Sequence, residues 1–335
     1  MTPLSTVESK KVEWLWENRI PANMLSLLVG NPDAGKSFLT MLMAATLTTS
    51  RDWPDCKNMN PAGAILFFSD EESMEYAIKP RLEANGADCN KVFVFDHIKT
   101  KDGEREFFNI QDSIAELDAY LDKVTDCRAI ILDPITAYLG RADANSNADV
   151  RGVLLGLQDL AERRRITVIG VSHLSKKSDL SVIHRVLGSI GFVAAARSVW
   201  AVATEQNEGE ITNPPWRLML PVKSNYSIDP NGLRFQIVEG AVVFDKNPIR
   251  QNIDDVLQKS GMEAKAKKKA KKWLQGRLEG GDVPSTELLE DAKEQGISEW
   301  ALRAAGKELK ARCYKIGVTE GWAWTLSPQD EVLNA

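Results

Sequence analysis

The residues predict an α/β chain built on a doubly wound, mostly parallel sheet, with a small helical domain appended, and three observations carry this prediction. The apolar run of residues 25–29 feeds directly into G-x-x-x-x-G-K-S at residues 30–37 and then into a helical apolar pattern. Residues 64–68 and 129–132 are apolar without alternation, as in strands buried on both faces of a parallel sheet. Helical patterns separate these runs, and the strand–helix alternation is that of a doubly wound sheet, whose ligands sit outside the carboxyl ends of the strands.

Residues 1–23 are polar apart from Trp14, Leu15, Trp16 and Ile20, and read as a segment laid against the first strand. The tryptophans are either packing or, near a nucleotide loop, lining for an adenine. In the loop itself, Gly30 and Gly35 let the backbone curl so that successive N–H groups point at a polyphosphate, Lys36 neutralises the β- and γ-phosphates, and the Ser37 hydroxyl can ligate Mg²⁺. The helix that follows adds its positive end. The expected ATP-binding set is Gly30, Asn31, Pro32, Asp33, Ala34, Gly35, Lys36, Ser37 and Phe38.

The second strand, residues 64–68, runs into Ser69, Asp70, Glu71 and Glu72. The fourth ends at Asp133, placed after four apolar residues like an aspartate that holds Mg²⁺ through water. Pro134 follows, so the group that activates water must come from elsewhere. Glu71 and Glu72 are the candidates, on a strand expected to neighbour the first; the alternative is that these acids serve the dipole of a helix over residues 73–82. The fifth strand, residues 166–171, ends in Ser172 and His173, and His173 is placed to sense a γ-phosphate. His97 and His184 have no comparable placement.

Two polar stretches, residues 139–147 and 175–181, follow these strands. Arg141, Lys176, Lys177 and Arg185 could meet nucleic-acid phosphates there, or the stretches are solvated loops. In residues 188–202, Arg197 stands within an apolar run and calls for a partner, which a nucleotide phosphate across a subunit interface would supply. Residues 216–223, 233–238 and 241–244 read as an antiparallel extension with a turn at Pro230, Asn231 and Gly232.

The ordered succession W-x-W, G-N-P-D-A-G-K-S, F-F-S-D-E-E-S with I-K-P-R-L, I-I-L-D-P, V-S-H-L-S-K, G-S-x-x-F-V-A-A-A-R-S-V-W and P-V-K-S-N-Y resembles the RepA-type branch of the RecA-fold ATPases, to which plasmid and phage replicative hexameric helicases belong. The resemblance covers residues 12–245. It implies a RecA-like ATPase domain in which Glu71, rather than Glu72, activates water, His173 senses the γ-phosphate and Arg197 is a finger acting in trans. It also implies that Lys223 reaches the neighbour's nucleotide. ATP and Mg²⁺ are the implied ligands, and a hexameric homo-oligomer on DNA the implied assembly, with replication proteins as further partners.

The remaining residues read as a linker over 248–262, a winged-helix-like domain over 263–327 and a tail over 328–335, after an ATPase domain of residues 1–247. Ala266, Ala270, Trp273, Leu274 and Leu278 form one apolar helix face, lysines surround the rest, and two further helices begin at Ser285 and Ser298 as caps. Residues 298–310 would be the recognition helix, presenting Arg303, Lys307 and Lys310 to DNA, with Arg312 beyond it; contact with the ATPase ring or a protein is the alternative.

A chain of 335 residues with a net charge of −5 has no global basic signature, so any nucleic-acid contact must be local. Cys56, Cys89, Cys127 and Cys313 lack C-x-x-C spacing and predict reduced thiols in a cytoplasm, and no stretch predicts a membrane span or signal region. The expected function is a DNA-translocating or unwinding ring ATPase. A nucleotide-switched DNA-binding or loading factor is the alternative, and a P-loop kinase of a small molecule fits the late strands and appended domain poorly.

Overall fold

The structure is a computed structural model. It describes residues 3–95, 98–99, 105–106, 108–175, 180–186, 189–205, 212–228, 230–316 and 321–326; His97, Lys176 and Lys177 lie outside them. The chain is an α/β fold with a large mixed, mostly parallel sheet and a small C-terminal antiparallel sheet with helices, divided into two compact units between Val256 and Leu257.

In the first unit, nine strands form one sheet: β1 (Leu25–Gly30), β2 (Ala64–Ser69), β3 (Val92–Phe95), β4 (Cys127–Asp133), β5 (Thr167–His173), β6 (Ser198–Thr204), β7 (Arg217–Ser224), β8 (Leu233–Val238) and β9 (Ala241–Phe244). Their order is β9-β8-β7-β6-β1-β5-β4-β2-β3, parallel from β6 to β3 and antiparallel from β6 to β9. The apolar runs of β1, β2 and β4 are buried throughout because helices cover both faces. α1 (Lys36–Thr49) is enclosed almost all round from Leu39 to Thr48, and α2 (Lys79–Ala84), α3 (Ile110–Leu121), α4 (Asn147–Arg164) and α5 (Ile190–Ala195) follow the same alternation.

β2 is not the neighbour of β1 that the sequence suggests; β5 and β4 intervene. Adjacency of the first two apolar runs in sequence says nothing of the strand a crossover skips, and here both gaps are filled by later strands with equally apolar faces.

The N-terminal segment forms a small hairpin, Trp14–Trp16 with Ile20–Pro21. Trp16 is fully buried, stacks on Trp53 with ring centroids 4.6 Å apart, and donates its Nε1 hydrogen to Asp55 Oδ1 at 2.8 Å. This tryptophan is therefore packing and not lining for a base. Beside it, the Arg19 guanidinium lies between the rings of Trp16 and Trp200, donates to Asp55 Oδ2 from Nε and Nη2, and reaches the Asn231 carbonyl.

In the second unit, α6 (Ile253–Leu278), whose first turn belongs to the first unit, contributes Ala270, Leu274 and Leu278 to a core shared with α7 (Ser285–Glu294), α8 (Glu299–Glu308) and a three-stranded antiparallel sheet of β10 (Val283–Pro284), β11 (Arg312–Lys315) and β12 (Trp322–Thr325). α6 starts well before the expected residue 263, so much of the predicted linker is helical. Ile253 and Leu257 are buried one turn apart, and Asp254 Oδ1 accepts the Val182 N–H at 2.6 Å, which anchors the first turn. Ser298 caps α8 by accepting from Ala301 N, as expected, whereas Ser285 does not cap α7; Pro284 occupies that position. Gly306 is required where Trp324 packs, since a Cβ there would lie 2.2 Å from the indole.

Arg19 is 5% exposed and Asp55 about a third, so the pair is anchored in the core and only partly hydrated. Asp55→Ala leaves the guanidinium buried without its carboxylate and should lower unfolding free energy by about 3 kcal/mol in urea titrations. The double variant Arg19→Met/Asp55→Leu should lose less, because no charge is stranded.

Candidate functional site

The site is assembled by strand register. Gly30 pairs with His173 across β1–β5, and Ser69 with Asp133 across β2–β4, so the carboxyl ends of these strands come level along one edge. Gly30 also faces β6 so closely that a Cβ would sit 2.3 Å from the Val202 carbonyl oxygen. The loop then turns through left-handed residues at Asp33 (φ 60°) and Gly35 (φ 100°), the alternation that points consecutive N–H groups into a concavity. Gly35 is the N-cap of α1 and supplies no side-chain cap, so the first-turn N–H groups of the helix have no capping side chain as acceptor.

Lys36 turns its buried ammonium back into this loop. Nζ donates to the carbonyls of Asn31 at 2.9 Å and Gly30 at 3.1 Å, and lies 3.3 Å from His173 Nδ1. Burial lowers its pKa, opposed by the charges of Asp133, Glu71 and Asp33. His173 is also shifted down, first by burial and then by Lys36, so the ring is neutral at physiological pH, and its Nδ1 can accept from the ammonium. Its Nε2 stands 3.9 Å from Glu71 Oε2, beyond direct hydrogen-bond distance.

The two acids after β2 differ. Glu72 is held by an ion pair with Arg81, whose guanidinium also covers the Phe38 ring at 4.3 Å. Glu71 is largely exposed at the edge beside His173. Although β2 lies three strands from β1, the loop after it swings back past the end of β4, and this brings Glu71 to the end of β5. Ser73, not either glutamate, supplies the cap of the following helical turn by accepting from Tyr76 N. Asp133 is buried, and its carboxyl is pushed up to about 6, chiefly by desolvation, against the opposing effects of Ser37 and the Lys36 charge.

These residues fit the ligands the sequence suggested. A left-handed cradle, uncapped helix N–H groups and a buried ammonium suit a polyphosphate, and the Ser37 hydroxyl with the Asp133 carboxylate forms an oxygen donor pair of the kind that Mg²⁺ prefers. Gly30, Asn31, Pro32, Asp33, Ala34, Gly35, Lys36, Ser37 and Phe38 are brought together with Glu71, Asp133 and His173.

Arg197 and Lys223 are not part of this cluster. Arg197 N donates to the carbonyl of Leu25, at the amino end of β1, and five residue steps of strand separate that end from Gly30, about 17 Å. The side chain is exposed rather than buried as its apolar surroundings suggested, because it sits in the bend between α5 and β6. Lys223 Nζ donates to the carbonyls of Ala196 (2.7 Å), Val193 (2.8 Å) and Ala194 (3.4 Å), satisfying the C-terminus of α5 beneath the Arg197 bend. Burial and then the charge of Arg197 lower its pKa.

Of the cations expected at DNA, Arg141 is exposed in the loop after β4 and Lys307 and Lys310 are exposed on or beside α8, whereas Arg303 is paired with Glu299 one turn away. Arg185 is not available: it is 6% exposed and donates to the Ser175 carbonyl from Nε and Nη2, which closes the loop after β5 on itself. His184 is exposed.

Arg217, at the start of β7, was not legible as a site residue. Its side chain packs on the phosphate loop, since a Cβ on Gly35 would lie 2.9 Å from its Cδ, and it feels the charge of Asp33. A cation opening an apolar strand was the sole signal in the sequence; only the pairing of β7 with β6, and of β6 with β1, brings it to the loop.

Lys36→Ala should abolish nucleotide binding in equilibrium titrations. Glu71→Gln should bind nucleotide and fail to release phosphate; normal turnover by that variant would assign water activation to Glu72 or another acid. For Asp133, the folded-state value near 6 lies above the ordinary 3.8. Its contribution to stability is therefore full below about pH 4 and lost as pH rises through 6. In metal-chelated buffer, Asp133→Asn should be more stable than the parent at pH 7.5, by up to roughly 3 kcal/mol, with the difference vanishing near pH 4.

A family model described as an AAA domain (AAA_25) matches residues 4–179, more than half of the chain. No curated protein matches it.

Proposed function

Because the chain belongs to the AAA domain family of P-loop NTPases, we propose that it is a Mg²⁺-dependent ATPase of the RecA-like, RepA-type class that assembles into a ring, with six subunits favoured, and translocates on or unwinds DNA. NTP binding and hydrolysis belong to the family in general. The position of Arg197 supports the ring: an exposed cation at the opposite end of β1 from the chain's own phosphate loop does not reach its own nucleotide, and in a ring it would meet one bound by a neighbour.

In this reading Lys36 and the loop N–H groups hold the β- and γ-phosphates, and Phe38 with Arg81 borders the nucleotide at the start of α1. Glu71 Oε2 orients the attacking water and takes its proton. Neutral His173, poised between Lys36 and Glu71, registers whether the γ-phosphate is present. Mg²⁺, held by Ser37 and by Asp133 through water, would supply charge neutralisation at the phosphates. Lys223 holds the Arg197 bend against α5 and stands beside the neighbour's site. Arg141 in the edge loop, with Lys176 and Lys177, supplies phosphate contacts to single-stranded DNA, and the C-terminal unit, with the helix order of a winged helix, offers Lys307 and Lys310 to duplex DNA or to a replication partner.

Steady-state ATP hydrolysis across a range of protein concentrations, with and without single-stranded DNA, tests this. Turnover should rise with both variables. Arg197→Ala should retain ATP and lose at least a hundredfold in turnover of assembled protein, in line with the contribution of arginine fingers. If DNA leaves turnover unchanged while nucleotide alters DNA binding, the chain is a nucleotide-switched loading factor instead.

A further inference from the structure

The second unit carries a charge pattern that the ATPase reading does not use. Residues 265–277 hold Lys265, Lys267, Lys268, Lys269, Lys271, Lys272 and Arg277 without a single acid. The structure sorts these cations by face. Lys267 and Lys271 both reach Glu308, Arg277 is held by Glu287 and Asp291, and Lys269 donates to the Gln295 carbonyl at 2.6 Å. Among the described residues, Lys265, Lys268 and Lys272 have no anionic partner. At 1.5 Å per residue they rise about 4.5 and 6 Å apart along one stripe of α6.

This stripe borders an open depression of about 720 Å³ lined by the lysine stems, Trp273, Gly276 and Arg277. Trp273 is partly buried, packed against the core of the unit while also lining the depression. Gly276, one turn on, leaves the space above it clear: a Cβ there would meet nothing within 4 Å. An indole beside an apolar floor, flanked by a row of uncompensated ammonium groups, combines the two features of a sequence-tolerant single-strand platform. By contrast, the helix expected to face DNA, α8, has Arg303 neutralised by Glu299.

We propose that this face of α6 binds single-stranded nucleic acid, with Lys265, Lys268 and Lys272 on consecutive phosphates and one base stacked on Trp273. An acidic protein segment would use the lysines but not the indole face, and a duplex would present no splayed base to it.

Fluorescence anisotropy of a labelled oligothymidylate of about 20 nucleotides, measured with the full chain and no nucleotide between about 50 and 200 mM KCl, tests the proposal. Replacing Lys265, Lys268 and Lys272 together by Ala should weaken binding at least tenfold and reduce the slope of log K against log salt by about 2. Trp273→Ala should weaken it by about 5- to 100-fold. Trp273→Phe should stay within threefold of the parent, separating stacking from loss of the fold. ATP turnover without DNA should be unchanged in all three. Parent-like affinity and slope in the lysine variant would overturn the proposal. So would a parent-like Trp273→Ala together with displacement of the oligonucleotide by polyglutamate, or preference for duplex irrespective of Trp273. The assay needs neither hydrolysis nor assembly, so a chain whose turnover ignores DNA but which binds the oligonucleotide here would fail the ring reading and keep this one.

Discussion

The position of β1 between β5 and β6 is the constraint on which the rest of the site depends. Backbone pairing on both sides fixes where Gly30 ends, and the Val202 carbonyl stands where any Cβ at that residue would be. The chain must leave the sheet there as bare backbone, turn through left-handed residues and start α1 without a capping side chain. Lys36 then returns to the carbonyls of Gly30 and Asn31, and the same β1–β5 register brings His173 to its ammonium. The phosphate loop and His173 thus leave the same edge of one hydrogen-bonded strand pair.

Electrostatics divide the first unit along its strands. At the carboxyl edge, a buried lysine and a neutral histidine face Asp133, Glu71 and Asp33, with Asp133 desolvated enough to hold its proton near pH 6. At the amino edge, Arg197 stands exposed on a bend held by Lys223. Rigid sheet separates the two, so one chain cannot bring its own cationic edge to its own phosphates. The loop after β5 provides a further mechanical link: it is closed by Arg185 on Ser175 and tied through Val182 to Asp254 in the first turn of α6. The segment after His173 and the helix that leads into the second unit therefore share a hydrogen bond within the first unit.

In the second unit, cations are separated by helix face rather than by sequence. Acidic side chains of α7 and α8 take up Lys267, Lys271, Arg277 and Arg303, and the stripe around Trp273 is left positive. Nothing in the lysine run itself distinguishes Lys271 from Lys272. The distinction arises because α6 presents one face to the core it shares with α8 and the next to solvent.

Much of this chain could be read from local order alone. The phosphate loop, the apolar strands with their acidic ends, the placement of Asp133 and His173, the antiparallel extension and the three C-terminal helices all rest on residue spacing, which backbone geometry converts into structure within one or two elements. Four features could not be read so. The separation of β2 from β1 by two later strands, the exposure of Arg197, the burial of Arg185 and the packing of Arg217 on Gly35 each depend on which distant strand or loop becomes a neighbour. The helical start at Ile253 belongs with them, because its first turn is anchored by Val182, some seventy residues away in the chain. Hydrophobic periodicity and motif spacing are properties of a segment, whereas burial of a charge is decided by what the rest of the fold packs against it.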